Sequence, residues 1–98
     1  MSNNRRHDRT SVALAGKLRV EGSEAAPSDC EIVDLSPGGA KIRTGLHLDK
    51  DAVVHLQIEQ MGEFGADVVW YRRPLAGLTF HASPEVMTEV VMAVAMYR

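Results

Sequence analysis

The sequence predicts a mainly β fold: a six-stranded antiparallel β-barrel followed by one C-terminal α-helix. Three observations carry that expectation. Apolar residues recur with period two in six short segments, each bounded by Gly, Pro, Asp or Ser. A single apolar stripe of helical period ends the chain. The 98 residues leave room for one domain and one core, so a sheet of this width is expected to close on itself rather than leave a long edge open.

The elements follow in order. Residues 1–10 are polar and aperiodic and read as a flexible N-terminal arm; residues 11–98 read as the barrel and helix. In the first strand Val12, Leu14, Leu18 and Val20 face one way and Lys17 and Arg19 the other, with Gly16 expected to mark a bulge or bend. Glu21 to Ser28 is a loop. Cys30 and Ile32 alternate with Asp29, Glu31 and Val33 in a second strand. Ser36-Pro37-Gly38-Gly39 suits a type II turn with positive φ at Gly38. Ala40 and Ile42, set against Lys41 and Arg43, make the third strand. Val54, Leu56 and Ile58, set against His55, Gln57 and Glu59, make the fourth. After a short loop at Met61-Gly62, the residues Phe64, Ala66, Val68 and Trp70 share one parity in the fifth. Tyr71 to Pro74 turns the chain into Gly77-Leu78-Thr79-Phe80, the sixth. Ser83-Pro84-Glu85 has the chemistry of a helix start: a capping hydroxyl, a proline at the first helical position and an acid in the first turn. The stripe Val86, Met87, Val90, Val91, Val94 is the face expected to pack on the barrel or cover one of its open ends.

Composition narrows the function. With 45% hydrophobic and 24% charged residues, the chain resembles an ordinary globular protein, and its few aromatics leave Val, Leu, Ile, Ala and Met to build the core. The single cysteine, Cys30, has no intramolecular partner and fits a reducing compartment. No apolar run approaches the roughly 18 residues of a membrane span, and no apolar stretch follows the basic residues at the N-terminus, so a cytoplasmic location is expected. A net charge of −2 argues against a general nucleic-acid binder. Its distribution is more informative. Arg5, Arg6 and Arg9 stand against Asp8 in the first nine residues, a basic arm suited to a small anionic partner. The four histidines lack metal-ligand spacing, no phosphate-binding loop or dinucleotide fingerprint is present, and Ser36 lacks the flanking glycine of a nucleophile elbow. Neither enzyme chemistry nor a cofactor or metal is expected.

Two strings remain. Arg5-x-x-x-Arg9 is a weak signal alone in a chain with eight arginines, and by itself a solvated tail explains it better. Yet a guanidinium is always charged, its planar fork matches phosphate oxygens two at a time, and its flat face stacks on a base. Asp34-x-Ser36-x-x-Gly39 is rarer. Plain turn chemistry accounts for it, since Asp and Ser hydrogen-bond nearby backbone. The same geometry also suits a ligand. A carboxylate at a strand end accepts hydrogen bonds from guanine N1 and N2, a hydroxyl joins it, and a glycine lets the ligand approach the backbone.

The two strings in this order, around the first two strands, resemble the PilZ domain family. That family carries an Arg-x-x-x-Arg arm before the first strand and Asp/Asn-x-Ser-x-x-Gly after the second. Trp70 and Gly77-Leu78-Thr79-Phe80 resemble the family's aromatic and Gly-x-x-Phe region, so the resemblance spans essentially the whole chain. It implies a six-stranded barrel with a C-terminal helix and a stand-alone bacterial receptor for the second messenger cyclic di-GMP. It also implies that Arg5 and Arg9 contact phosphates and guanine, that Asp34 and Ser36 bond guanine, and that Gly39 lines the floor. It implies further that Arg6 helps within the arm and that Trp70 packs against a base. Asn4 stands where some members carry a further arginine, which leaves open one bound ligand or a stacked pair. Ordering Arg5 to Arg9 costs on the order of 5–10 kcal/mol at about 1–2 per residue. Each charge-assisted hydrogen bond returns roughly 1.5–3 kcal/mol, so arm and turn are both expected to be needed. The implied output is an arm that orders on binding and signals to a protein partner in motility, biofilm or exopolysaccharide control. Two other readings are a PilZ-like protein-interaction module without nucleotide binding and a small nucleic-acid-binding barrel; the second expects aromatic platforms that this chain largely lacks.

Overall fold

The computed structural model describes residues 10–97. It holds six strands, β1 (Thr10–Val20), β2 (Ser28–Leu35), β3 (Gly39–Thr44), β4 (Val53–Ile58), β5 (Gly62–Arg72) and β6 (Leu75–Phe80), followed by α1 (Pro84–Tyr97). All pairings are antiparallel, and the strands close in the order β1-β2-β3-β6-β5-β4. The fold class read from the sequence is the one observed.

Period-two alternation explains the closure. Leu18, Ile32, Ile42, Val54, Leu56, Ile58, Ala66, Val68 and Ala76 are fully buried and fill the barrel. Each such Val, Leu or Ile contributes about 1.5–3 kcal/mol relative to exposure. Ser28 to Leu35 and Gly39 to Thr44 are joined by a tight hairpin in which Ser36 and Gly39 exchange backbone hydrogen bonds, Ser36 N–H to Gly39 C=O at 2.9 Å and the reverse at 3.3 Å. The long β1 reaches both neighbours at once: Gly16 lies opposite Cys30 on β2 and Ile58 on β4.

Several local expectations are corrected. Gly38 does not have positive φ, so the Ser36–Gly39 turn is not type II. The Gly38 carbonyl accepts from Phe80 N–H at 3.0 Å, which ties this half of the turn to the end of β6. The irregularity in β1 falls between Ser11 and Leu14, and not at Gly16, which stays paired on both sides. Tyr71 and Arg72 belong to β5, opposite Ala76 and Leu75, so the turn shrinks to Arg73-Pro74. Trp70 does not share the inward parity of Val68. A register shift between them puts an extra residue in β5, and Trp70 emerges on the outside, 40% exposed.

The helix starts as its sequence expects. Ser83 Oγ accepts from Val86 N–H at 3.3 Å and Ser83 C=O from Met87 N–H at 3.0 Å. Met87 and Val94 are buried in the core, with Val90 and Val91 packed beside them. That is spacing i, i+3, i+4, i+7, one face of a helix. Val86 lies 100° from Met87, at the edge of this face, and is exposed, so it leaves the expected stripe.

Candidate functional site

One cross-strand row organises the outer face of the barrel. Asp34 on β2 lies opposite Lys41 on β3, Lys41 opposite Gly77 on β6, and Gly77 opposite Trp70 on β5. Directly opposed residues of an antiparallel pair point to the same side of the sheet. The inward neighbours Leu35, Ala40, Ile42, Ala76 and Leu78 are buried, so the row itself faces out. A second row, Gly39, Thr79 and Asp67, runs beside it.

The first row, with Gly39 and Thr79 of the second, forms the floor of an open cavity of about 750 Å³, lined by Asp34, Ser36, Gly39, Lys41, Trp70, Gly77 and Thr79 among others. That size falls within the ~300–1,000 Å³ common for small-ligand sites. Two glycines make it possible. A Cβ on Gly77 would collide with the indole of Trp70, whose ring therefore lies over bare backbone. A Cβ on Gly39 would collide with the Leu78 carbonyl oxygen, so this glycine is required by the approach of β3 to β6. Its place in the motif thus has a fold reason as well as any ligand reason.

The polar groups are held in place locally. The Ser36 hydroxyl lies 3.3 Å from both the amide and the carbonyl of Gly39, accepting from one and donating to the other. Asp34 Oδ2 and Lys41 Nζ are 3.6 Å apart, an ion pair with the Asp34 side chain mostly covered and the Lys41 side chain about one-third exposed. A pair of this kind contributes about 0–1 kcal/mol. Further along β3, Arg43 pairs with Glu31 at 3.4 Å, outside the cavity.

Of the residues the sequence singles out, Asp34, Ser36, Gly39 and Trp70 meet in this one cavity. Arg5, Arg6 and Arg9 lie outside the described residues. Lys41, Gly77 and Thr79 join them, residues that neither motif string contains. Lys41 is legible as the outward residue between Ala40 and Ile42. Gly77 carries the weaker signal of a glycine inside a strand.

Other reactive groups lie elsewhere. Burial, and then the negative charge of Asp29, push the Cys30 thiol up to about 11 against a weaker opposing effect of Lys17. His47, His55 and His81 each meet one carboxylate, of Asp49, Glu21 and Asp67, at 3.1, 2.9 and 2.8 Å. Among the described residues no group of three or more His, Cys, Asp or Glu is placed to hold a metal. No described helix is long and apolar enough to cross a membrane.

Comparison with known proteins gives a consistent fold. The family model of the PilZ domain matches residues 3–94. No curated protein matches the chain. Among solved structures, the PilZ domain of CeSA from a cellulose-synthesizing bacterium superposes with a TM-score of 0.68 at 13% identity, covering 88% of this chain and 92% of that one. The Bacillus subtilis inhibitor of motility MotI/DgrA gives a TM-score of 0.65 at 15% identity over 93% of this chain, which spans about half (51%) of that protein. An uncharacterized Legionella protein gives 0.59 at 18% identity, with 92% of each chain covered.

Proposed function

Because the chain belongs to the PilZ domain family, whose model spans nearly all of it, we propose that it is a receptor for cyclic di-GMP bound over the Asp34–Trp70 row. The observation that carries this reading is the gathering of Asp34, Ser36, Gly39 and Trp70 in one cavity. Asp34 takes the N1 and N2 hydrogens of a guanine, the Ser36 hydroxyl adds an acceptor beside it, and the exposed face of Trp70 stacks on a base. The family is a binding and signalling module, and we assign the chain no catalytic step.

Arg5, Arg6 and Arg9 supply the phosphate contacts in this proposal. Chain connectivity supports it. Thr10 lies opposite Leu35 and Ser11 opposite Asp34, so β1 begins at the motif turn. Arg9 is one residue from Thr10, and consecutive Cα atoms are about 3.8 Å apart. The arginines are thus tethered within reach of ligand on Asp34. Their closure over it changes the surface beside β1 and β2, the hypothetical signal to a protein partner. The name of the B. subtilis structural relative, an inhibitor of motility, fits an output of that class.

Calorimetric titration with cyclic di-GMP tests the reading. The intact chain binds, while Arg9→Ala and Asp34→Ala each weaken binding at least tenfold, about 1.4 kcal/mol. An intact chain that releases no heat with cyclic di-GMP overturns the assignment and favours a protein-interaction module. Equal binding by both variants overturns the residue roles.

A further inference from the structure

We propose that Lys41 is a ligand-binding cation that changes partners: it neutralises Asp34 in the free protein and passes to a ligand phosphate when Asp34 takes the guanine edge. This rests on the cyclic di-GMP reading and adds to it a residue that neither motif string contains.

The position of Lys41 is the first argument. It stands in the middle of the row, directly between Asp34 and Gly77, and lines the cavity. Gly77 has no side chain and the Trp70 indole occupies the space above it, so no other side chain of the row stands between Lys41 and the ring. A ligand with one guanine on Asp34 and a base on Trp70 must pass its sugar–phosphate linkage over or beside Lys41.

Charge is the second argument. Guanine N1–H and N2–H are neutral donors, so they satisfy Asp34 without cancelling its charge. A phosphodiester brought alongside then faces a carboxylate, an unfavourable pairing in a half-covered site. The ammonium of Lys41 offsets it. At 3.6 Å from Asp34 Oδ2, on a side chain about one-third exposed, it is close enough to neutralise the carboxylate and near enough to solvent to turn to a second anion. Its Cα is fixed in the β3 ladder, opposite Gly77, so this cation is set in place before ligand arrives. Arg43, the other cation of β3, is held by Glu31 outside the cavity.

The test uses the chain's single tryptophan, Trp70, as a fluorescent reporter. Cyclic di-GMP is titrated into intact protein, Lys41→Gln and Lys41→Met at low and high salt, with urea midpoints confirming that each variant is folded. Both variants are expected to lose on the order of tenfold in affinity, and to lose less further affinity in high salt than the intact chain does. Unchanged affinity with unchanged salt response overturns the proposal while leaving the receptor reading intact. Tighter binding by the variants also overturns it, showing that Lys41 only masks Asp34. An intact chain that does not bind, by calorimetry as well as fluorescence, removes the receptor reading and this inference together.

Discussion

The indole of Trp70 lies over the backbone of Gly77, the residue directly opposite it on β6. The β5 bulge turns Trp70 outward and the missing side chain of Gly77 gives its ring a flat seat. Neither feature alone builds the platform: a tryptophan beside a bulky neighbour would be pushed into solvent, and a glycine without the tryptophan would be bare backbone.

The first prediction is that Gly77→Ala mimics Trp70→Ala. The added methyl displaces the indole, which is the exposed end of a side chain, so the fold gives way cheaply. Affinity for cyclic di-GMP should fall by roughly 5- to 150-fold, the equivalent of about 1–3 kcal/mol for one stacked base. The urea midpoint should move little. Retained affinity in Gly77→Ala would show that the seat beneath the ring is irrelevant to binding.

Gly39→Ala should behave in the opposite way. Its methyl meets the Leu78 carbonyl oxygen, a backbone atom held in the β3–β6 ladder. The two strands must separate, and overpacking of this kind costs about 1–3 kcal/mol or more. Urea unfolding should show a marked loss for Gly39→Ala beside a small one for Gly77→Ala. If Gly39→Ala is fully stable and only its ligand affinity drops, the glycine serves the ligand and not the strand pairing.

These two glycines mark what the sequence makes legible. Alternation in β3 and β4 exposes the barrel, since inward positions such as Ile42 and Leu56 leave no second register that buries them. In β2, by contrast, a register shift between Ile32 and Asp34 lets Ile32 and Leu35 both face in. The motif residues Asp34, Ser36 and Gly39 are visible because they are adjacent in the chain. Strict alternation would put Trp70 on the side of Val68, but a one-residue bulge inverts parity there and has no sequence mark. Lys41 and Gly77 escape notice for a different reason. Their role comes from lying opposite each other on β3 and β6, a pairing that only three-dimensional register reveals.

Removing the helix cap separates stability from binding. Ser83 Oγ receives the Val86 amide at 3.3 Å, and Ser-to-Ala changes at such positions cost about 1 kcal/mol. In a domain of this size that lowers Tm by about 4–8 °C. Cap and cavity share no residue, so Ser83→Ala should bind cyclic di-GMP with unchanged affinity at a temperature well below its Tm. A parallel loss of affinity would mean that α1 communicates with the ligand face.

The last prediction concerns alkaline pH. The folded Cys30 thiol is pushed from 9.0 up to about 11, first by burial and second by Asp29. Folding therefore favours the neutral thiol, and the unfolded chain loses its proton at lower pH than the folded one. The stability linked to this group is fully present below about pH 9 and drains away as pH rises through about 11. Tyr and Lys side chains also titrate in this range, so the informative quantity is a difference. Urea midpoints of the intact chain and Cys30→Ala should differ by a constant amount up to pH 8, after which the intact chain loses ground steadily to the variant between pH 9 and 11. The thiol should also resist alkylation in the native state near pH 8, because the reactive thiolate is scarce there. A difference in midpoint that stays flat across the window would show that Cys30 ionises alike in the folded and unfolded chains.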